Sequence, residues 1–342
     1  MNRRQFLQLG PATLAALTAP SLVSQSIPPK TVEPPEIGRS TRRSPDAPVA
    51  ALDLGTRQSL RLLQFTDNHW FCGVKQGLTI TEGDQATERD WRDLVRIFSP
   101  DLIVLSGDTW HDNPGGRGLK TLLHILPRLE SLGVPWAFCW GNHDLLDDYQ
   151  AGHDALEAAR HSLYRGAANH GDYRIEIRVA AAGGPLPAAQ LWLLNSNREG
   201  LTSWQLDWLR RARTSLSGTG LAPLPSLAFY HIPLIEQKTL YAAGRTPGVF
   251  QEEVCHEKEA GEAAPVLAAD GRLLASFCGH DHVNDYAVRS QTLDLVYGRA
   301  TGHAGYGGDK LRKGAKLIEL DLRAATYQQV TVFADGTRWR PS

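Results

Sequence analysis

Val134-Pro135-Trp136-Ala137-Phe138-Cys139-Trp140 runs straight into Gly141-Asn142-His143-Asp144. An apolar run that meets a polar tetrad reads as a buried strand ending in a loop. In open α/β sheets, ligands bind beyond the carboxyl ends of the strands. Four other runs end in the same way. Leu60 to Thr66 leads to Asp67-Asn68-His69, and Leu102 to Ser106 leads to Gly107-Asp108. Leu227 to Tyr230 leads to His231, and Leu273 to Cys278 leads to Gly279-His280-Asp281-His282. Strand ends this rich in Asp, Asn and His point to one shared site.

Outward from these ends the chain alternates strands and helices. Trp91, Leu94, Val95 and Phe98 recur at helical spacing, which predicts an amphipathic helix over Asp84–Phe98. Leu119, Leu122, Leu123, Leu126 and Leu129 predict a second helix, kinked or split at Pro127 and stopped by Gly133. Residues 147–162 read as a third. Thr202 and Gln205 form a capping box, and Leu201 can staple to Leu206. Strands are expected at Tyr173–Val179 and Leu191–Leu194, and closing strands at 292–297, 316–321 and 326–333. The β-α alternation implies a largely parallel sheet, and the strand-rich later half gives two packed sheets with helices outside.

The ends of the chain read differently. Arg3-Arg4-Gln5-Phe6-Leu7 ahead of the moderately apolar Leu9–Val23 resembles a twin-arginine export signal, assigned to residues 1–26. It implies a bacterial protein, periplasmic or secreted, with no membrane span in its mature form. Residues 27–51 are rich in Pro, Ser, Thr and Arg and read as a linker, so the folded domain is expected over 52–342. A net charge of -1 over 342 residues gives no broad attraction to nucleic acid or an anionic membrane. Four Cys make no disulfide-dense scaffold; Cys139 and Cys278 sit inside apolar runs as buried thiols, and a Cys72–Cys255 pairing stays open.

The donors at the strand ends are Asp67, His69, Asp108, Asn142, His231, His280 and His282. Mixed oxygen and nitrogen donors suit zinc, iron or manganese better than calcium. The set exceeds what one tetrahedral ion needs, and two ions about 3.5–4 Å apart that share a carboxylate fit it better. Two divalent ions against two carboxylates leave positive charge for an anionic substrate. His143 beside Asp144 is an acid/base arrangement.

The ordered set Asp-x-His, Gly-Asp, Gly-Asn-His-Asp, His and Gly-His-x-His, spanning Asp67 to His282, resembles the calcineurin-like metallophosphoesterase family. The resemblance implies a four-layer αββα sandwich of two mixed sheets with a dinuclear site at the strand C-terminal ends. It implies Asp67, His69, Asp108 and His282 on one metal ion, and Asp108, Asn142, His231 and His280 on the other, with Asp108 bridging. It also implies a metal-bridging hydroxide as nucleophile on a phosphoester, and His143 as general acid, oriented by Asp144. Phe229 to Leu234, Cys278 to Asp285 and Tyr297 to Gly308 are similar to a purple-acid-phosphatase-like branch of plants and fungi. True purple acid phosphatases carry Tyr three residues after the bridging Asp and lack the first-motif His. Here those positions are His111 and His69. Arg299, in the Gly-rich stretch, is assigned to substrate binding together with Asn142, because a guanidinium grips phosphate bidentately. Phosphatase action on a phosphorylated small molecule is expected. A phosphodiesterase for nucleotides or lipid headgroups, or a non-catalytic binding protein on the same fold, stands as the alternative.

Overall fold

A computed structural model describes residues 48–217, 224–244, 246–259, 261–269 and 271–341. The export signal, and residues 27–47 of the linker, lie outside them. The chain runs through β1 (Val49–Asp53), β2 (Ser59–Phe65), α1 (Glu82–Phe98), β3 (Leu102–Ser106), α2 (Gly118–Glu130) and β4 (Trp136–Cys139). Next come α3 (Tyr149–Ala158), β5 (Tyr173–Val179), β6 (Leu186–Leu193), α4 (Ser203–Ser217), β7 (Ser226–Phe229), α5 (Ile235–Ala243) and β8 (Gly248–Phe250). The last elements are α6 (Ala263–Ala268), β9 (Leu273–Cys278), β10 (Asn284–Ser290), β11 (Leu293–Tyr297), β12 (Ala315–Asp321), β13 (Thr326–Val332) and β14 (Arg338–Trp339).

The strands form two mixed sheets flanked by helices. The eight-stranded sheet has the order β1-β5-β6-β7-β9-β11-β10-β8, and the six-stranded sheet β14-β13-β12-β2-β3-β4. Each is parallel where it matters for the site: β2, β3 and β4 in one, and β6, β7, β9 and β11 in the other. One apolar core joins Phe65, Val104 and Phe138 of the first group to Leu191, Phe229 and Phe277 of the second, all essentially inaccessible to water. A shared core holds the sheets face to face, so the carboxyl ends of five strands meet at one edge.

Local signals explain the starts of two helices, α1 and α4. Thr81 caps α1 through a reciprocal box with Asp84, and Thr202 with Gln205 does the same ahead of α4. Leu201 and Leu206 are both buried in the same apolar cluster, as a staple requires. Gly133 takes a left-handed φ of 67° after α2, where its N–H reaches Glu130.

Two expectations need correction. β1 begins at Val49, so Val49, Ala50 and Ala51 belong to the folded domain and not to the linker. Pro127 neither splits nor breaks α2, which continues to Glu130. It stands in the last turn, and the residue whose carbonyl loses its partner, Leu123, is 51% exposed and open to water. The stretch between β7 and β9 contains α5, β8 and α6. Cys72, Cys139, Cys255 and Cys278 are free thiols, Cys139 and Cys278 buried.

Candidate metal centre

The left-handed region of backbone space is sparsely used by residues other than Gly. Asp67, His69, Asp108 and His280 all occupy it, with φ of 53°, 48°, 52° and 79°. Each lies within a few residues of a strand end, after β2, β3 or β9. The glycines in front are required by crowding. A Cβ on Gly141 would strike the Asp108 carboxylate, and one on Gly279 would strike Thr66 and Asp67.

Two groups of ligand atoms result, each within 4.8 Å: Asp67, His69 and His282, and Asp108, His231 and His280. His69 Nε2 lies 3.0 Å from His282 Nε2, and His282 Nε2 lies 3.4 Å from Asp67 Oδ1. Asp108 Oδ2 joins the groups, 3.5 Å from His69 Nε2 and 3.1 Å from His231 Nε2. Asn142 Oδ1 is buried without a hydrogen-bond partner, and so is His231 Nε2, which is within ion-pair distance of Asp108 but out of line for a hydrogen bond.

The imidazoles are held from behind. His231 Nδ1 is 3.0 Å from the Ser106 carbonyl, and His282 Nδ1 is 3.1 Å from the Tyr306 carbonyl. His69 Nδ1 meets His111 Nδ1 at 3.0 Å. With the far nitrogens so engaged, Nε2 of each ring is left to face the two carboxylates. That is how metal-ligating histidines are fixed.

The electrostatics fit a cation as well. Burial would raise the Asp67 and Asp108 carboxyls, but His282 and His231 respectively overcome it and hold both below the usual range. Burial would lower His231, yet the charges of Asp108 and Asp67 push it up to about 10. Burial drives His69 down to about 3 and His280 down to about 4, so both rings are neutral donors at pH 7. Buried carboxylates, the neutral rings of His69 and His280 and an unpartnered amide oxygen make a donor set that two divalent ions would satisfy.

His143 is half-buried beside these groups, and its ring centroid is 5.1 Å from that of His69. Its backbone N–H donates to Asp108 Oδ1 at 2.8 Å. Its orienting partner is not Asp144. His143 Nδ1 bonds Asp112 Oδ1 at 2.8 Å, and the Asp112 N–H returns to the His143 carbonyl at 2.9 Å. Burial opposes the charged ring, but the Asp112 hydrogen bond and the charges of Asp108 and Asp112 outweigh it and raise the His143 pKa. Asp144 instead accepts the N–H groups of Gly141 and Trp110 at 2.8 and 3.1 Å. Fully buried and close to Asp108, it is pushed up to about 7. It shapes the loop that carries Asn142 and His143.

Arg299 is corrected too. It is 3% exposed and spends its Nε on Asp285 at 2.7 Å and its Nη1 on the Arg312 carbonyl at 2.8 Å. Its plane lies against Phe333 and Trp339. His303 bonds Asp90 and Thr87 and ties the Gly-rich stretch to α1.

The sequence assigned several neighbours no role. His111 stacks on His143 with ring centroids 4.7 Å apart. Ser196 Oγ accepts the N–H of both His231 and Ile232. Tyr306 stacks on His282 at 3.8 Å with its hydroxyl on Glu252. For His111 and Asp112 the available signal was their place in the loop that follows the Asp108 strand end.

Residues 60–284 match the family model described as calcineurin-like phosphoesterase. The chain is 28% identical over 324 residues to "Probable inactive purple acid phosphatase 28" of Arabidopsis thaliana, covering 82% of this chain and 79% of that one. It is 28% identical over 281 residues to "Phosphatase DCR2" of Saccharomyces cerevisiae, covering 70% of this chain and 47% of that longer protein. A dimetal phosphatase from Danio rerio has the same fold, with a TM-score of 0.53 and 15% identity over 80% of this chain and 95% of that one.

Proposed function

The chain belongs to the calcineurin-like phosphoesterase family, and from that premise we propose that it hydrolyses phosphoesters at a pair of divalent metal ions, with His143 as proton donor. One observation carries the reading. Asp108 Oδ2 faces both ligand groups at once, 3.5 Å from His69 Nε2 and 3.1 Å from His231 Nε2. A carboxylate so placed serves two cations. Asp67, His69 and His282 would hold one, and His231, His280 and Asn142 the other, with Asp108 shared. When bound, such a pair neutralises phosphoryl oxygens and supplies an activated water.

The chain's own residues do the rest. Asp112 holds His143 through Nδ1, fixes the tautomer and favours the protonated ring. The remaining ring nitrogen can then give a proton to the departing oxygen. The His143 N–H on Asp108 keeps the acid in register with the bridging carboxylate. Asp144 fixes the turn from Gly141 to His143, so ligand and acid move as one piece.

The plant relative's name includes the word inactive, which favours a binding protein as the second reading. Against it stand the complete donor set and the Asp112–His143 pair. The two part on one experiment. Metal-loaded protein is assayed on a panel of phosphomonoesters and diesters, with metal content measured on the same sample. Two ions per chain and turnover of any ester support hydrolysis. Two ions with no turnover of any ester would leave the binding protein.

A further inference from the structure

Among the described residues, Arg198 is a cation near the site that the reaction described above leaves unused. Arg198 lies in the loop that follows β6, and the loop is tied down on both sides. The Asn195 N–H donates to Asp172 Oδ1, Asn195 Nδ2 to the His170 carbonyl, and the Asn197 N–H to Asn195 Oδ1. The Gly200 N–H closes onto the Ser196 carbonyl, and a Cβ on Gly200 would strike Glu257. Ser196 Oγ meanwhile receives the N–H groups of His231 and Ile232. The loop that braces one proposed metal ligand therefore also sets the position of Arg198.

Arg198 leans toward the leaving-group side. Its Nε donates to the Asn142 carbonyl at 3.4 Å, next to His143 in the chain. Its charge reaches Asp112, the partner of His143, and Tyr149 at the start of α3. It is exposed, and among the described residues no carboxylate lies within ion-pair distance of it. With Nε engaged, the N–H groups of Nη1 and Nη2 remain for a ligand, and that fork matches the two oxygens of a carboxylate or phosphoryl group. Contrast Arg299, which is buried and consumed by protein partners.

We propose that Arg198 recognises a second anionic group, carboxylate or phosphoryl, on the leaving-group side of the substrate, so that the site favours phosphoesters of anionic over neutral alcohols. The proposal rests on the preceding reading for the placement of the leaving group beside His143.

The test uses binding, which does not require turnover. Metal-loaded protein, wild type and Arg198→Ala, is titrated calorimetrically with methylphosphonate, phosphonoacetate and methylenediphosphonate, with metal content checked in each sample. Methylphosphonate carries one anionic group; the other two add a carboxylate or a second phosphonate. In Arg198→Ala we expect affinity for at least one of the two longer probes to fall about tenfold to hundredfold, and for methylphosphonate less than about threefold. The longer probe that falls further identifies the group recognised. Arg198→Lys keeps the charge without the fork and should recover only part of the loss. Equal losses on all three probes would overturn the proposal, because Arg198 would then act on the scissile group or through a general field. Unchanged affinities would overturn it in favour of a surface arginine. Failure of wild type to hydrolyse any ester would count against the hydrolytic reading alone and leave the binding contrast to be judged on its own.

Discussion

Two buried clusters of charge in this molecule behave in opposite ways. In one, Asp285 accepts from Arg299 Nε at 2.7 Å, Lys316 Nζ at 2.6 Å and Thr331 Oγ1 at 2.7 Å. Lys316 reaches on to Gln329, and Arg299 to the Arg312 carbonyl. The donors there close on acceptors. The cluster ties β10 of the eight-stranded sheet to β12 and β13 of the six-stranded sheet. In the other, Asp67 and Asp108 face imidazole nitrogens that converge, and Asn142 Oδ1 has no partner. Burying charge is costly unless it is paired and hydrogen-bonded. A cluster that closes on itself is a cross-link between layers. A cluster whose acceptors converge on common points is built for something that arrives from outside.

The comparison can be broken at its strongest point first. Asp108→Asn removes the charge that both ligand groups share. It should deplete both metal ions and lower kcat/KM on the order of 10⁴-fold, since several kcal/mol of charge stabilisation goes with the ions. Elemental analysis on the purified variant decides it. Full occupancy by two ions would show that Asp108 is not the shared ligand.

His143→Ala comes next. The residue is proposed as an acid and not as a ligand, so metals should stay. On alkyl phosphates kcat should fall about 10²–10⁴-fold, the range of a lost general acid. Nitrophenolate departs without a proton, so nitrophenyl phosphate should suffer far less. An equal loss on both, with metals intact, would make His143 a phosphoryl-binding group.

The closed cluster predicts the opposite pattern. Asp285→Asn leaves Lys316 and Arg299 buried beside a neutral amide. Breaking a buried pair in this way costs about 3–5 kcal/mol of stability. Denaturant unfolding should show that loss, while the folded fraction keeps its metals and its kcat. A change in metal content larger than the change in stability would mean that the two clusters are one functional unit.

The layered fold was legible because apolar runs and capping boxes act locally. The candidate site was legible because its proposed ligands stand at strand ends, where a run of apolar residues stops at a charged one. What the sequence hid were the partners of those residues. Arg299 stands in a Gly-rich stretch that looks made for phosphate. Its true partner, Asp285, lies 14 residues earlier on a neighbouring strand, and only the pairing of β10 with β11 brings them together. Asp144 follows His143 directly, yet the turn directs its oxygens to Gly141 N and Trp110 N. Asp112 reaches His143 from another loop, through a left-handed φ of 58° that periodicity does not reveal. Arg198 is surrounded by loop residues with no pattern at all.

The smallest effect we expect discriminates between the two carboxylates that the sequence confused. Asp112→Asn keeps a hydrogen-bonding side chain beside His143 Nδ1 but removes the charge that raises its pKa. His143 must be protonated to act as an acid, so activity falls as pH rises through its pKa. Lowering that pKa moves the alkaline limb of the kcat profile to lower pH. At neutral pH we expect a loss of about tenfold to hundredfold on alkyl phosphates, with metals retained, because the acid is weakened and not removed. Asp144→Asn should behave otherwise. Its oxygens accept two backbone N–H groups in the turn, and an amide can accept only one of them well. The cost is about 1–3 kcal/mol of stability, paid in the loop, with the alkaline limb where it was. If the limb moved in Asp144→Asn and stayed in Asp112→Asn, the contact at 2.8 Å between Asp112 and His143 would be no more than packing, and the neighbour in sequence would be the true partner after all.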